Sequence, residues 1–315
     1  MKSDKILVYG AALLATLFWG FSFVWFKQAN VVYRPISIIT MRLVIAAVVL
    51  TLFMTLSKQH QKIDKKDWKF FILIALFEPF CYFLFESFGL TMVTATAAAI
   101  IISTIPLFTP IFTHFISREK LGYLGIIGLL ISFGGVLLVV RSDGEGANSI
   151  LGIMLMFGAV FSAIFYGLVL KKLTHNYSGL TIVKYQNLFG LILFLPLFLF
   201  VDVNHFLQVQ PNLEVLTTIA KLAIFPSTLS FVFIAYVVKK IGLINANIFA
   251  NLIPAFTAVI AYFVLQEALH FQKVVGIFIV ISGVFISQIP QFKKLRKLFS
   301  TNSSTDSSVR TKSDQ

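Results

Sequence analysis

The sequence predicts an all-α membrane protein: ten transmembrane helices arranged as two inverted-topology five-helix repeats, with both termini in the cytoplasm. Three observations carry this reading: too little charge for a wetted surface, apolar runs of membrane-crossing length, and two halves that align with each other.

Of 315 residues, 58% are hydrophobic and only 12% are charged. A soluble domain carries roughly a quarter charged residues, because water must wet its surface. The missing charge therefore places apolar surface against lipid. A hydrocarbon core ~30 Å thick needs about 20 apolar residues per helix. Such runs occupy 7–26, 36–56, 70–90, 96–116, 121–140, 150–170, 179–200, 217–238, 244–264 and 271–289. Period-two alternation, the mark of a lipid-exposed barrel, is missing. Pro79, Pro106, Pro110, Pro196, Pro226 and Pro254 fall inside these spans, where neighbouring helices re-satisfy the carbonyls that proline frees.

The net charge of +13 does not point to nucleic acid. Of the 26 Lys and Arg, twenty fall on the side of the N-terminus and five (Lys27, Arg34, Arg141, Lys221, Lys273) on the other, with Arg42 inside a span. Cytoplasmic loops carry such an excess, so the charge sets orientation. Leu7–Phe26 has full span length and no persuasive cleavage site before Lys27, so it reads as a first helix rather than a signal peptide. The single cysteine, Cys81, lies within a span and excludes an intramolecular disulfide, and no Cys/His cluster suggests a metal. No cofactor is expected. Residues 1–5 form a cytoplasmic N-terminus, and 290–315 a basic juxtamembrane segment with a disordered tail. Its cluster of Lys293, Lys294, Arg296 and Lys297 suits anionic lipid.

A shift of 148 residues lays Ala95–Val140 on Leu243–Gln288 without a gap. Pro106 meets Pro254, Glu119 meets Glu267, Gly128 meets Gly276, and Gly135-Val136 meets Gly283-Val284. The repeats are 6–140 and 150–289. Each holds five spans, and an odd number forces the second copy to enter the membrane from the opposite side. Inverted copies can exchange conformations and open first to one side, then to the other, which favours a transporter over a membrane enzyme or receptor. His60, His114, His175, His205 and His270 are scattered without a catalytic motif, and no Walker motif is present.

These residues resemble the drug/metabolite transporter superfamily, and within it the EamA-type family of two five-helix repeats. The resemblance rests on Trp19-Gly20 in LFWGFSFVWFK, Arg42 in ISIITMRLVIAAVVL, the run FGLTMVTATAAAIIISTIPLFTPIF ending past Pro106, and SREKLGYLGIIGLLISFGGVLL. The last two patterns return as ANLIPAFTAVIAYFVLQEALHFQKVVGIFIVISGVFIS. In the second copy the Trp-Gly place is Phe161-Ser162 and the Arg42 place lies near Gln186. The resemblance implies export of an amino acid or other metabolite, a cavity lined by helices 1–4 and 6–9, and supporting roles for helices 5 and 10. It also implies that Trp19 faces the cavity. Glu78 and Glu86 are not part of the family pattern.

Ionisable groups inside spans are costly and face a polar cavity or a partner. Glu78, Tyr82 and Glu86 fall on one narrow face of the third span, the two carboxylates about 80° apart around the helix. Arg42 lies ~9 Å and Glu86 ~6 Å below the outer end by helical rise, level enough either to pair or to meet substrate together. Glu78 sits near the midplane with no cation at its level, and changes charge only when a cavity brings water to it. That is the behaviour of a proton-coupling site, with a structural hydrogen bond beside Pro79 as the alternative. Asn247, Asn251 and Pro254 recur at helical spacing as one stripe that suits cavity lining or helix packing. Gln186 is a further candidate. Glu119 and Glu267 read as structural, each favouring the positive end of the helix that follows it.

The expected function is that of a secondary transporter exporting a small amino-acid-like or amphipathic solute by alternating access, with proton coupling. An importer of the same fold is the alternative, and a membrane-embedded enzyme the alternative of another class. Expected partners are the small solute, the bilayer and protons, with a second copy of the chain as a further candidate. The expected location is a bacterial cytoplasmic membrane.

Overall fold

The structure, a computed structural model, describes residues 2–117, 123–144, 146–287 and 289. Glu119, the basic cluster at Lys293–Lys297 and the tail lie outside the described residues. The described chain is helical, without strands. Among the described residues nine helices are long and apolar enough to cross a membrane: α1 (Ile6–Asn30), α2 (Pro35–Leu56), α3 (Lys65–Leu90), α4 (Ala95–Phe112), α5 (Tyr123–Ser142), α6 (Ile150–Leu173), α7 (Gly179–Gln208), α8 (Leu213–Ile241) and α9 (Leu243–Val264). At the expected tenth span the described residues Phe271–Ser287 form a further apolar helix, α10.

Local chemistry sets the helix starts. Thr94, Ser149 and Ser178 each accept a backbone N–H of the first turn, at Ala97 (3.1 Å), Gly152 (2.9 Å) and Thr181 (3.2 Å), so α4, α6 and α7 begin there. Asn212 does the same for α8 through Glu214 and Val215. Pro35 occupies the first turn of α2, where its missing N–H costs nothing.

Prolines break four of the helices. A proline removes its own N–H and its ring clashes with the carbonyl four residues earlier. In α3 the regular helix ends at Ala75, four before Pro79, and a wide turn runs over Leu76–Cys81. Its repeat partner α8 has a wide turn over Phe225–Ser230, around Pro226. In α4 the first segment ends at Ile102, four before Pro106. In α9 a tight 3₁₀ stretch over Ile248–Leu252 precedes Pro254.

Burial separates the helices into a centre and a periphery. Of the most apolar window, 72% is buried in α4 but 28% in α5. α5 crosses α10 through glycine: a Cβ on Gly128 would overlap the Gly283 carbonyl, and one on Gly135 the Gly276 carbonyl. Such small residues let membrane helices approach closely. The pairs 128 with 283 and 135 with 276 make the two helices antiparallel. Between them Ser132 Oγ donates to the carbonyl of Val280, its own repeat equivalent 148 residues on (3.0 Å).

A second cross-repeat contact is also made twice. Arg42 on α2 reaches Ser227 in the α8 break, and Gly190 on α7 packs against the Pro79 ring in the α3 break. The 148-residue shift takes Arg42 to Gly190 and Pro79 to Ser227. The structural counterpart of Arg42 is therefore Gly190, one turn beyond the expected Gln186. A glycine there leaves the space that Pro79 fills.

Candidate functional site

The helix breaks surround a cavity of about 80 Å³, enough for several waters or part of a small solute. α1, α2, α3, α4, α6, α8 and α9 line it; α5, α7 and α10 contribute no lining residue. The resemblance implied that helix 7 would also face the cavity, but α7 packs behind α2 and α3.

Three of the expected residues on α3 converge here. Glu78, Tyr82 and Glu86 all line the cavity, as do Arg42 from α2 and Trp19 from α1. Glu78 has extended backbone angles (φ −149°, ψ 117°) inside an otherwise helical run. The residue before a proline is pushed out of the helical region, so Pro79 accounts for this. The extension places the carboxylate in the cavity wall, 5% exposed. It makes no hydrogen bond or ion pair with any described residue.

Arg42 and Glu86 do not form the direct ion pair that their depths allowed. The guanidinium donates from Nε (3.1 Å) and Nη2 (3.0 Å) to Ser227 Oγ and lies 4.3 Å from the Phe83 ring centre. Its Nη1 is buried without a partner. Glu86 instead accepts from the Tyr82 hydroxyl at 3.0 Å. The reason is packing: α2 lies chiefly against α7 and α8 rather than α3, so equal depth does not bring the side chains together. Glu86 remains the carboxylate most strongly coupled to Arg42 through space.

The α9 stripe divides. Asn247 lines the cavity and donates to Thr109 Oγ1 at 3.1 Å. Asn251 is buried outside the cavity lining, with neither amide atom partnered. Four residues of 3₁₀ helix turn about 120° beyond a full circle, against about 40° for an α-helix, so the two asparagines leave a common face. Gln186 is also buried outside the lining, its side chain beside the hydroxyl of the cavity-lining Tyr166.

Sequence reasoning missed the opposite wall. Tyr166 on α6 and Phe231 on α8 face the cavity, and Phe231 meets Trp19 edge-on at 5.6 Å and Tyr166 at 5.7 Å. The Tyr166 hydroxyl is buried next to the Gln186 side chain. In a Phe-rich sequence these rings carry no distinguishing signal.

Glu267 has a different role from the one expected. It does not serve the helix that follows. Its carboxylate accepts from the backbone N–H groups of Ala95 (2.7 Å) and Thr96 (3.2 Å) and from Thr96 Oγ1 (2.7 Å), capping α4 in the other repeat. A positive-φ turn at Gln266 redirects the chain at this point. Lys273, counted from sequence as an outer loop charge, is 1% exposed and pairs with Asp143, with Glu267 3.7 Å away. Asp143 also accepts from Thr94 and Asn148. One buried charge network thus ties α4 to α5 and α10.

A cavity lined by membrane-crossing helices, several of them broken where they line it, with Glu78, Glu86 and Arg42 in an otherwise largely apolar wall, is the arrangement of a membrane transport protein. The chain belongs to the EamA-like transporter family, whose model matches residues 6–141 and 150–288. The uncharacterized transporter YetK of Bacillus subtilis is 28% identical over 256 residues, 79% of this chain and 77% of its own. An uncharacterized transporter of Archaeoglobus fulgidus is 28% identical over 273 residues, 87% of this chain and 95% of its own. A solved crystal structure at 13% identity shares the fold, with a TM-score of 0.67 over 90% of this chain and 96% of its own.

Proposed function

We propose that the protein is a secondary transporter that exports a small metabolite by alternating access and couples this to protons through Glu78. The observation that carries the reading is the Glu78 carboxylate: buried, unpartnered, at a helix break, and in the wall of the cavity. An ionisable group inside a membrane protein is costly and persists where it serves a pathway. A carboxyl so placed exchanges protons only when the cavity opens to water, which links its charge to the conformation.

The two halves act as inverted repeats in this proposal, 6–140 against 150–289, about an axis in the membrane plane. The antiparallel glycine crossing and the twice-made contact between a second helix and a third-helix break support it. Both termini face the cytoplasm of a bacterial cell, as the Lys and Arg distribution favours. Cysteines placed in the 58–64 loop of a Cys81→Ser chain are expected to resist a membrane-impermeant thiol reagent in intact cells and to react after lysis. Reaction in intact cells would reverse the orientation.

Export is tested by metabolite profiling of cells lacking and overproducing the protein. The expected result is one or a few small solutes several-fold higher in the medium on overproduction and retained inside on deletion. The opposite displacement would make the protein an importer.

A further inference from the structure

We infer that the cavity selects an organic monocation, a protonated amine on an apolar body, over zwitterions and anions; this rests on the transport reading and names its substrate class. The cavity wall holds three formal charges, those of Glu78, Glu86 and Arg42. Arg42 is already engaged: Ser227 takes two of its nitrogens, Phe83 covers its face, and Glu86 is its strongest charge partner. A substrate carboxylate approaching Arg42 would meet Glu86 as a like charge. Glu78 feels Arg42 and Glu86 through space but makes no hydrogen bond or ion pair with a described residue, so with both carboxylates ionised the set lacks one positive charge.

The surroundings of Glu78 suit a cation for a second reason. Trp19, Phe231 and Tyr166 form a continuous edge-to-face aromatic wall on the same cavity. Ring faces attract cations, most strongly where water is excluded, and aromatic cages with a carboxylate are a recurring solution for ammonium groups. The remaining lining is largely apolar, with Ile102, Ile105, Leu170 and Ile234, and accommodates a hydrocarbon body. A small amine would dock its ammonium on Glu78 against this wall and lay its apolar part among those side chains.

Three probes of nearly one shape separate the classes: phenethylamine is a monocation, phenylalanine a zwitterion and 3-phenylpropionate an anion. Calorimetric titration of the purified full chain in detergent at neutral pH is expected to give phenethylamine an affinity at least ~10-fold above phenylalanine, since a charged hydrogen bond carries at least that factor. No saturable binding is expected for 3-phenylpropionate. Glu78→Gln should lower phenethylamine affinity by a similar factor, whereas Glu78→Asp, which keeps the charge, should retain most of it. Because Glu78→Gln protein in the same micelles also reports non-specific partition, the comparison isolates the site. Phenylalanine binding as tightly as the amine, preference for the anion, equal amine binding by Glu78→Gln, or no saturable binding by any probe would each overturn the inference. None of these outcomes bears on proton-driven movement of the profiled metabolite, so the transport reading stands or falls separately.

Discussion

Glu78→Gln protein reconstituted into liposomes is expected to lose at least ~10-fold of the transport driven by a pH gradient, with the melting temperature of the detergent-solubilised protein little changed. Gln has nearly the size of Glu and can hydrogen-bond, but it cannot titrate. Glu78 makes no hydrogen bond or ion pair with a described residue, so no structural contact is removed. The φ and ψ of residue 78 are imposed by Pro79 and do not depend on the side chain. What is lost is, among the described residues, the one cavity carboxylate without a hydrogen-bond partner, since Glu86 is bonded to Tyr82. The measurement is accumulation of the profiled metabolite in vesicles with an imposed gradient. Variant protein that accumulates it at the native rate would make the carboxyl structural and move the coupling elsewhere.

Lys273→Met is expected to have the largest effect on stability, about 3–5 kcal/mol, the cost of removing one partner from a buried ion pair. Lys273 is 1% exposed, and its removal leaves Asp143 and Glu267 facing each other without a cation. Glu267 keeps its bonds to the first turn of α4, so the uncompensated charge falls chiefly on Asp143. Lys273→Met combined with Asp143→Leu should therefore lose less than the two single losses together. Thermal unfolding in detergent gives the comparison. A Lys273→Met protein within about 0.5 kcal/mol of the parent, the scale of an ordinary surface change, would show that water reaches the network.

The parts of this arrangement that the sequence disclosed are those governed by local chemistry. Apolar run length gave the spans within a few residues, with departures where polar ends prolong a helix: α3 begins at Lys65 and α7 continues to Gln208. Tyr82 and Glu86, one helical turn apart, share a face on the cavity, whereas Glu78 reaches it through the break at Pro79 rather than through helical spacing. The alignment of Pro106 with Pro254 foresaw matching interruptions in α4 and α9. What was not legible depends on which distant helix packs against which. Arg42 chose Ser227 on α8 over Glu86, and Glu267 chose the start of α4, 171 residues away at Thr96, over its own neighbour. The α9 asparagines were misjudged because a switch to 3₁₀ winding leaves hydropathy unchanged.

The hydrogen bond from Ser132 to Val280 has a consequence for how such a chain can differ between its halves. Residues that are equivalent by the repeat and also touch lie where a surface meets its own copy, as on the dyad of an isologous dimer. In an antiparallel pair of identical five-helix chains that position would face itself: hydroxyl against hydroxyl, or methyls against methyls. Covalent linkage of the two copies lifts the restriction, because each half then varies alone. This chain uses that freedom, with a donor on one helix and a bare carbonyl flanked by an apolar side chain on the other. The glycines on either side keep the matched form in both copies, whereas the residues packed on them differ as well, Ser287 over Gly128 and Val139 over Gly276.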